Sequence, residues 1–406
     1  MLYEGCAWVW ARSLAAIALR AGLPRRRPVP EMIPSVVIIG ACGGEHAGDA
    51  AILAGVLCGL AQEYGTTDAC ILSQRPGHTA RLAASLDTPV SVTVQPYYDR
   101  GLRCALANAG ASVFAGGPLM DLPRVLAKHL AAASHAHATG KPFLMRRIGV
   151  GPFARRLSEG TARLVARHAD TLSVRTAGAS RLRAVRGIPV DIGRDPAFDY
   201  LEPRHELTRL HSADRVSADR LLAGTEGRIR IGINLRPIPL GWSSRGRDYS
   251  RREEEAFFAR LAEAMMATKA RATRPISWIF FPMNPIRLGA SDLAAAWRLH
   301  RLVAGRADFR VWQADPDLDG ILHLLRQLDG AIARRFHAAI FCPSQRLPTI
   351  GIDYYPGQGG KVEQLFQDHG RGDHVRRVDT ADTGWMKDRL AELVANSGRN
   401  GRIARQ

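Results

Sequence analysis

Arg335 and His337 stand two residues apart, between a short apolar strand pattern, Gly330–Ala333, and an apolar helical pattern. Arginine grips a carboxylate or phosphate through two parallel donors, and histidine gives or takes a proton near neutral pH. A strand-to-helix turn bearing both suits an anionic ligand. The plainer reading is a capped turn with a satisfied histidine. Other cations occupy comparable places. Arg236 follows the strand that ends in Asn234-Leu235, and Arg175 follows Ser173-Val174. Lys361 opens a helix after the glycine-bearing loop from Tyr354 to Gly360. For Arg175 a surface position, and for the loop before Lys361 a simple turn, are the alternatives.

A second group lies near the start of the chain. Val36-Val37-Ile38-Ile39 runs into a loop with Gly40, Gly43, Gly44 and Gly48, and a helical pattern follows. Such a loop lets backbone approach a ligand, and the helix N-terminus offers N–H groups to an anion. Glu45, His46 and Asp49 lie there. Asp49 reads either as a helix cap or as the group that takes a proton from an attacking hydroxyl. His46 is a weaker candidate for acceptor contact. Gly116 and Gly117, after the Val113-Phe114 strand, offer another close backbone approach, a weak signal alone.

These residues need elements to hold them after strands, and the sequence supplies them. From Ser35 to about Tyr200, strand patterns alternate with helical ones, which predicts a parallel sheet covered on both faces. The strands are expected at Val36–Ile39, Ala69–Leu72, Val90–Val94, Ser112–Phe114, Phe143–Ile148, Thr171–Val174 and Val190–Ile192. Residues 201–228 are charged and read as a linker. A second series then spans residues 229–382, with strands at Ile229–Leu235, Ser277–Phe281, Arg310–Trp312, Gly330–Ala333 and Thr349–Asp353. Residues 383–406 form a last helix and tail, for which the first domain is one candidate partner. The expected class is α/β, with two domains facing a cleft and ligands beyond the carboxyl ends of strands.

The chain has 406 residues, 46% hydrophobic, enough for two cores. Its net charge of +18 is spread along the chain and carried almost wholly by arginine. Without zinc-finger spacing, a heptad basic region or aromatic–basic repeats, no nucleic-acid partner is expected. None of the six cysteines forms a Cys-x-x-Cys pair, so buried free thiols and no metal site are expected. No apolar run is long enough to span a bilayer. Residues 1–34 mix Trp8 and Trp10 with Arg12, Arg20 and Arg25-Arg26-Arg27. They read either as an amphipathic basic helix on an anionic membrane or as a helix packed on its own domain.

In order, the segments resemble the polysaccharide pyruvyltransferase family. The resemblance rests on Gly48-Asp49-Ala50-Ala51-Ile52-Leu53, Ala115-Gly116-Gly117, Ser173-Val174-Arg175 with Ser180, Asp195–Phe198, Arg335–Ala338, and Tyr354–Lys361. Glu45-His46-Ala47 departs from the Asn common before Gly-Asp. The resemblance implies a GT-B-like fold of two Rossmann-like domains, acceptor side first (35–200) and donor side second (229–382). It implies phosphoenolpyruvate as donor, with no further cofactor, and a sugar diol of a glycan or lipid-linked oligosaccharide as acceptor. The product would be a pyruvate ketal on a surface polysaccharide, made in the cytoplasm or at the inner membrane face. Arg335, Arg236, Arg175 and Lys361 would hold the donor. His337 would protonate its enol carbon and Asp49 would serve as base. The alternatives are a nucleotide-sugar glycosyltransferase of the same fold and a non-catalytic glycan- or anion-binding protein.

Overall fold

The fold was obtained as a computed structural model. It describes residues 27–40, 46–97, 99–115, 118–119, 121, 123–151, 153, 155–176, 179, 185–204, 213–238, 250–285, 291–355 and 360–400. Most of the N-terminal basic segment, Gly116, Gly117 and the tail beyond residue 400 thus lie outside the described residues. Two compact units result. One ends at Tyr200; the other comprises His46–Gly48 and Leu201–Gln406.

The first unit contains strands β1 (Ser35–Ile39), β2 (Asp68–Ser73), β3 (Ser91–Pro96), β4 (Ala111–Phe114), β5 (Pro118–Leu119), β6 (Phe143–Val150), β7 (Thr171–Val174) and β8 (Asp191–Ile192). They pair in the order β3-β2-β1-β4-β6-β7-β8, with β5 on β6, all parallel. The central strands β1 and β4 are almost wholly buried, as strands covered on both faces must be. β5 was not expected, because two residues carry no periodicity. The register of β6 on β7 shifts between Met145 and Ile148, and Arg147 there has φ 45°. Its N–H donates to Ser173 Oγ at 2.8 Å and its guanidinium pairs with Asp199, which hold this bulge.

The second unit contains β9 (Ile229–Asn234), β10 (Ile276–Phe280), β11 (Asp308–Val311), β12 (Gly330–Ala333), β13 (Thr349–Asp353) and β14 (Val375–Arg377). Their order is β11-β10-β9-β12-β13-β14, again all parallel. This is the doubly wound order of a Rossmann sheet, and its winding reverses between β9 and β12. Helix Arg251–Arg271 opens with a capping box: Ser250 Oγ accepts from Glu253 N–H, and Glu253 Oε2 accepts from Ser250 N–H.

Within residues 201–228, helix Ala213–Leu222 is built into this unit. Arg215 forks onto Asp319 at 2.5 and 2.6 Å, and Trp312 Nε1 donates to Ser217 Oγ at 2.9 Å. The last helix, Thr383–Asn400, packs on helix Arg251–Arg271 of the same unit, with Lys387 and Glu263 2.8 Å apart. Among the described residues Cys58, Cys70, Cys104 and Cys342 are free thiols, but only Cys342 is buried; Cys104 sits on an exposed helix face. No described helix is long and apolar enough to cross a membrane.

Candidate active site

The second unit's sheet places its polar residues at the carboxyl ends of strands. Asn234, fully buried at the end of β9, is the link between the two strands where the winding reverses. Its amide donates to the Phe281 carbonyl at 2.9 Å, and its Oδ1 accepts from Arg335 N–H at 3.2 Å. The two arginines after β12 then diverge. Arg334 is fully buried and bidentate on Glu254, at 3.1 and 2.9 Å, with its guanidinium 4.7 Å from the Phe257 ring centre. Arg335 turns to another element. Its Nε meets both oxygens of Asp292, at 2.6 and 2.7 Å. Asp292 is fully buried and also accepts from the N–H groups of Met283 and Asn284, at 2.9 and 3.0 Å.

Arg335 is the N-cap of helix Phe336–Ser344, so His337 sits in the first turn, half-buried. Segment His46–Gly48 lies against it. The His46 and His337 rings meet edge to face, 5.1 Å between centres. A Cβ at Gly48 would come within 2.2 Å of His337 Cγ, so glycine is required there unless His337 moves. Burial lowers the His46 pKa to about 3, and the positive charge of Arg335 adds to this. His46 is therefore a neutral imidazole at physiological pH; the charge of Arg236 also lowers its pKa, while the carboxylates of Asp292 and Asp315 oppose that shift.

Arg236 stands over the Tyr354 ring, 4.7 Å from its centre, and is nearly buried. Burial draws its pKa below the usual arginine value. Tyr354 in turn packs on Tyr355, 4.6 Å between ring centres. Asp353, at the end of β13, is fully buried and accepts from the N–H groups of Tyr355 and Glu363, both at 2.8 Å. Burial lifts its pKa to about 6 against those hydrogen bonds. It thereby ties down the start of helix Lys361–Asp368, where Gly360 is the N-cap and Lys361 the first residue. A Cβ at Gly360 would collide with the Asp353 carboxylate and the Tyr355 ring.

The second unit thus assembles His46, Arg236, Arg335 and His337, with Lys361 at the turn after β13. The remaining candidates belong to the first unit. Asp49 is half-buried in the first turn of helix Ala47–Tyr64. Arg175 is buried in an ion pair with Asp195 at 2.8 Å, and Asp195 also accepts from Ala197 N–H at 3.0 Å. Burial raises the Asp195 pKa and the Arg175 charge opposes that rise. The Ser-Val-Arg and Asp-Pro-Ala-Phe segments are therefore partners in one buried pair. The sequence alone does not mark Asp292 or Glu254 as functional candidates. Asp292 was hidden because Ser291-Asp292 before an apolar run reads as a helix start.

Two parallel Rossmann-like sheets with flanking helices define the α/β class of the GT-B type. Solved structures share it. UDP-GlcNAc 2-epimerase from Neisseria meningitidis, bound to UDP-GlcNAc, is similar with a TM-score of 0.59 at 11% identity, over 91% of this chain and 93% of that one. UDP-GlcNAc 2-epimerase from Methanocaldococcus jannaschii is similar with a TM-score of 0.56 at 13% identity, over 91% of this chain and 98% of that one. At such identity the likeness is one of fold. No curated protein matches the chain in sequence. The profile of the polysaccharide pyruvyl transferase family matches residues 46–355, from His46 to Tyr355. The chain belongs to that family, and is a pyruvyltransferase enzyme.

Proposed function

We propose that the protein transfers pyruvate from phosphoenolpyruvate to two hydroxyls of a sugar on a polysaccharide or its lipid-linked precursor. One observation carries the reading: Arg236 and Arg335 gather with His46 and His337 where the second sheet reverses its winding. Phosphoenolpyruvate bears a carboxylate and a phosphate, and guanidinium groups match both. His337, as imidazolium, gives its proton to the methylene carbon, leaving an oxocarbenium-like centre at the neighbouring carbon. A sugar hydroxyl adds there and loses its proton to a base. Asp49, next in the chain after Gly48, has that role in this reading. The bond from the same carbon to the phosphate oxygen then breaks, and the second hydroxyl adds to that carbon, its proton passing to the departing phosphate, to close the ketal.

Lys361 is a further cation for the phosphate, and neutral His46 a contact for a hydroxyl. Arg175, paired with Asp195 as Arg335 is with Asp292, is a further cation for the donor in this reading. No metal or cofactor enters these steps. The reading places the enzyme in the cytoplasm, with the basic N-terminal segment as the part that would touch an anionic membrane. The test is incubation of purified protein with phosphoenolpyruvate and glycan precursors, with and without a chelator. Phosphate release with a matching mass gain of the acceptor, insensitive to chelation, is expected. Binding of UDP- or GDP-sugars in place of phosphoenolpyruvate would turn the reading to glycosyl transfer. Donor or glycan binding without turnover would leave only a binding protein.

A further inference from the structure

We infer that Asp292 is a positioning residue for the donor, acting through Arg335; this rests on reading the site as a phosphoenolpyruvate site. The two residues come from different elements, 43 positions apart. Both carboxylate oxygens of Asp292 meet Nε of Arg335, at 2.6 and 2.7 Å. The carboxylate is itself fixed to the loop after β10 by the N–H groups of Met283 and Asn284, and Asp292 N–H donates to the Asn284 carbonyl at 2.9 Å. At its other end Arg335 is held through its backbone N–H by Asn234. Both ends of a rotamer-rich side chain are thus fixed before any ligand arrives, which removes that ordering from the binding step.

The sign of the charge argues for orientation. A carboxylate beside a site for a multiply charged anion repels that anion. If Asp292 acted on the donor only through its field, Asp292→Asn would tighten donor binding. If it acts by aiming Arg335, the same change weakens binding although it removes a repulsion. The neighbouring pair offers a contrast. Arg334 is wholly covered and forks onto Glu254 at 3.1 and 2.9 Å, whereas the charge of Arg335 is felt by His46.

The experiment is a double-mutant cycle of Asp292→Asn and Arg335→Gln, read by calorimetric titration with phosphoenolpyruvate and with melting curves to verify folding. Asp292→Asn alone should weaken binding about 10- to 100-fold, the scale of a misplaced binding group. In the Arg335→Gln background it should change binding by less than about threefold, since its only route of action is gone. Unchanged or tighter binding by Asp292→Asn, or an equal loss in both backgrounds, overturns the proposal. Should Asp292→Asn fail to fold, Asp292→Glu keeps the charge and shifts its place. It should also weaken binding, and wild-type affinity there would be equally fatal. A parent protein that does not bind phosphoenolpyruvate overturns the donor assignment itself, and the positioning role with it.

Discussion

His46 and His337 pack edge to face, and the surroundings of His46 set its charge state. Burial and the Arg335 charge keep His46 neutral, with a pKa near 3, so it has no proton to give at physiological pH. In the proposed reaction the acid is His337, in the first helical turn. His337→Ala should lower turnover by about 10²–10⁴-fold, the usual worth of a general acid, with phosphoenolpyruvate binding little changed. Phosphate release and calorimetry together check this, and normal turnover excludes the role. Arg236→Ala should weaken donor binding by about 1.5–3 kcal/mol, the scale of a hydrogen bond to a charged group. Arg236→Lys should restore only part of it, because a point charge lacks the planar fork and stacks less well on Tyr354. These residue types were legible because their chemistry and their place after strands are local facts. Their partners were not. Among so many arginines, nothing local separates Arg175, taken up by Asp195, from Arg335 beside the histidines.

At the scale of elements, the ends of β9 and β12 are set by buried pairs. Glu254, in the first turn of helix Arg251–Arg271, holds Arg334 and accepts from Ile238 N–H at 3.4 Å, close after Arg236 in the chain. Glu254→Ala should destabilise the protein by about 3–5 kcal/mol, because it strands a guanidinium in the core. Urea unfolding measures this. The double change Arg334→Met with Glu254→Leu should recover most of the loss, since it removes both charges together. Gly48→Ala is expected to displace the His46–Gly48 segment from His337 and cut turnover by about 10²-fold while the protein still folds. A turnover assay beside a melting curve decides it, and wild-type turnover would count against a role for that segment. The strands themselves were largely legible, because runs such as Trp278-Ile279-Phe280 announce burial on both faces. β14 was missed because Val375-Arg376-Arg377 shows a single apolar residue.

For the molecule as a whole, buried histidines tie stability to pH. His129 in the first unit packs edge to face on Phe114, and burial lowers its pKa to about 3. Its unfolded value is near 6.5, so between these limits the unfolded chain binds the extra proton. The stabilisation from neutral His129 is complete above about pH 6.5 and is lost as pH falls toward 3. Asp353, raised to about 6, acts in the opposite sense over part of that window, so the comparison must be made against a variant. His129→Leu should narrow the drop in melting temperature between pH 7 and pH 5 relative to the parent. An identical drop in both proteins would contradict a buried neutral His129. By itself the sequence determined two parallel α/β series, the loops after strands that carry cations, and the spacing of Arg335 and His337. All of these rest on short-range periodicity and turn chemistry. Only the tertiary structure decided that His46–Gly48 joins the second unit, that Asn234 braces Arg335 across 101 residues, and that Glu254 and Asp292 divide the two adjacent arginines across 80 and 43. The reason is physical: a buried charge takes whichever counter-charge the sheet order brings beside it, and the sheet order is set by the packing of the whole chain.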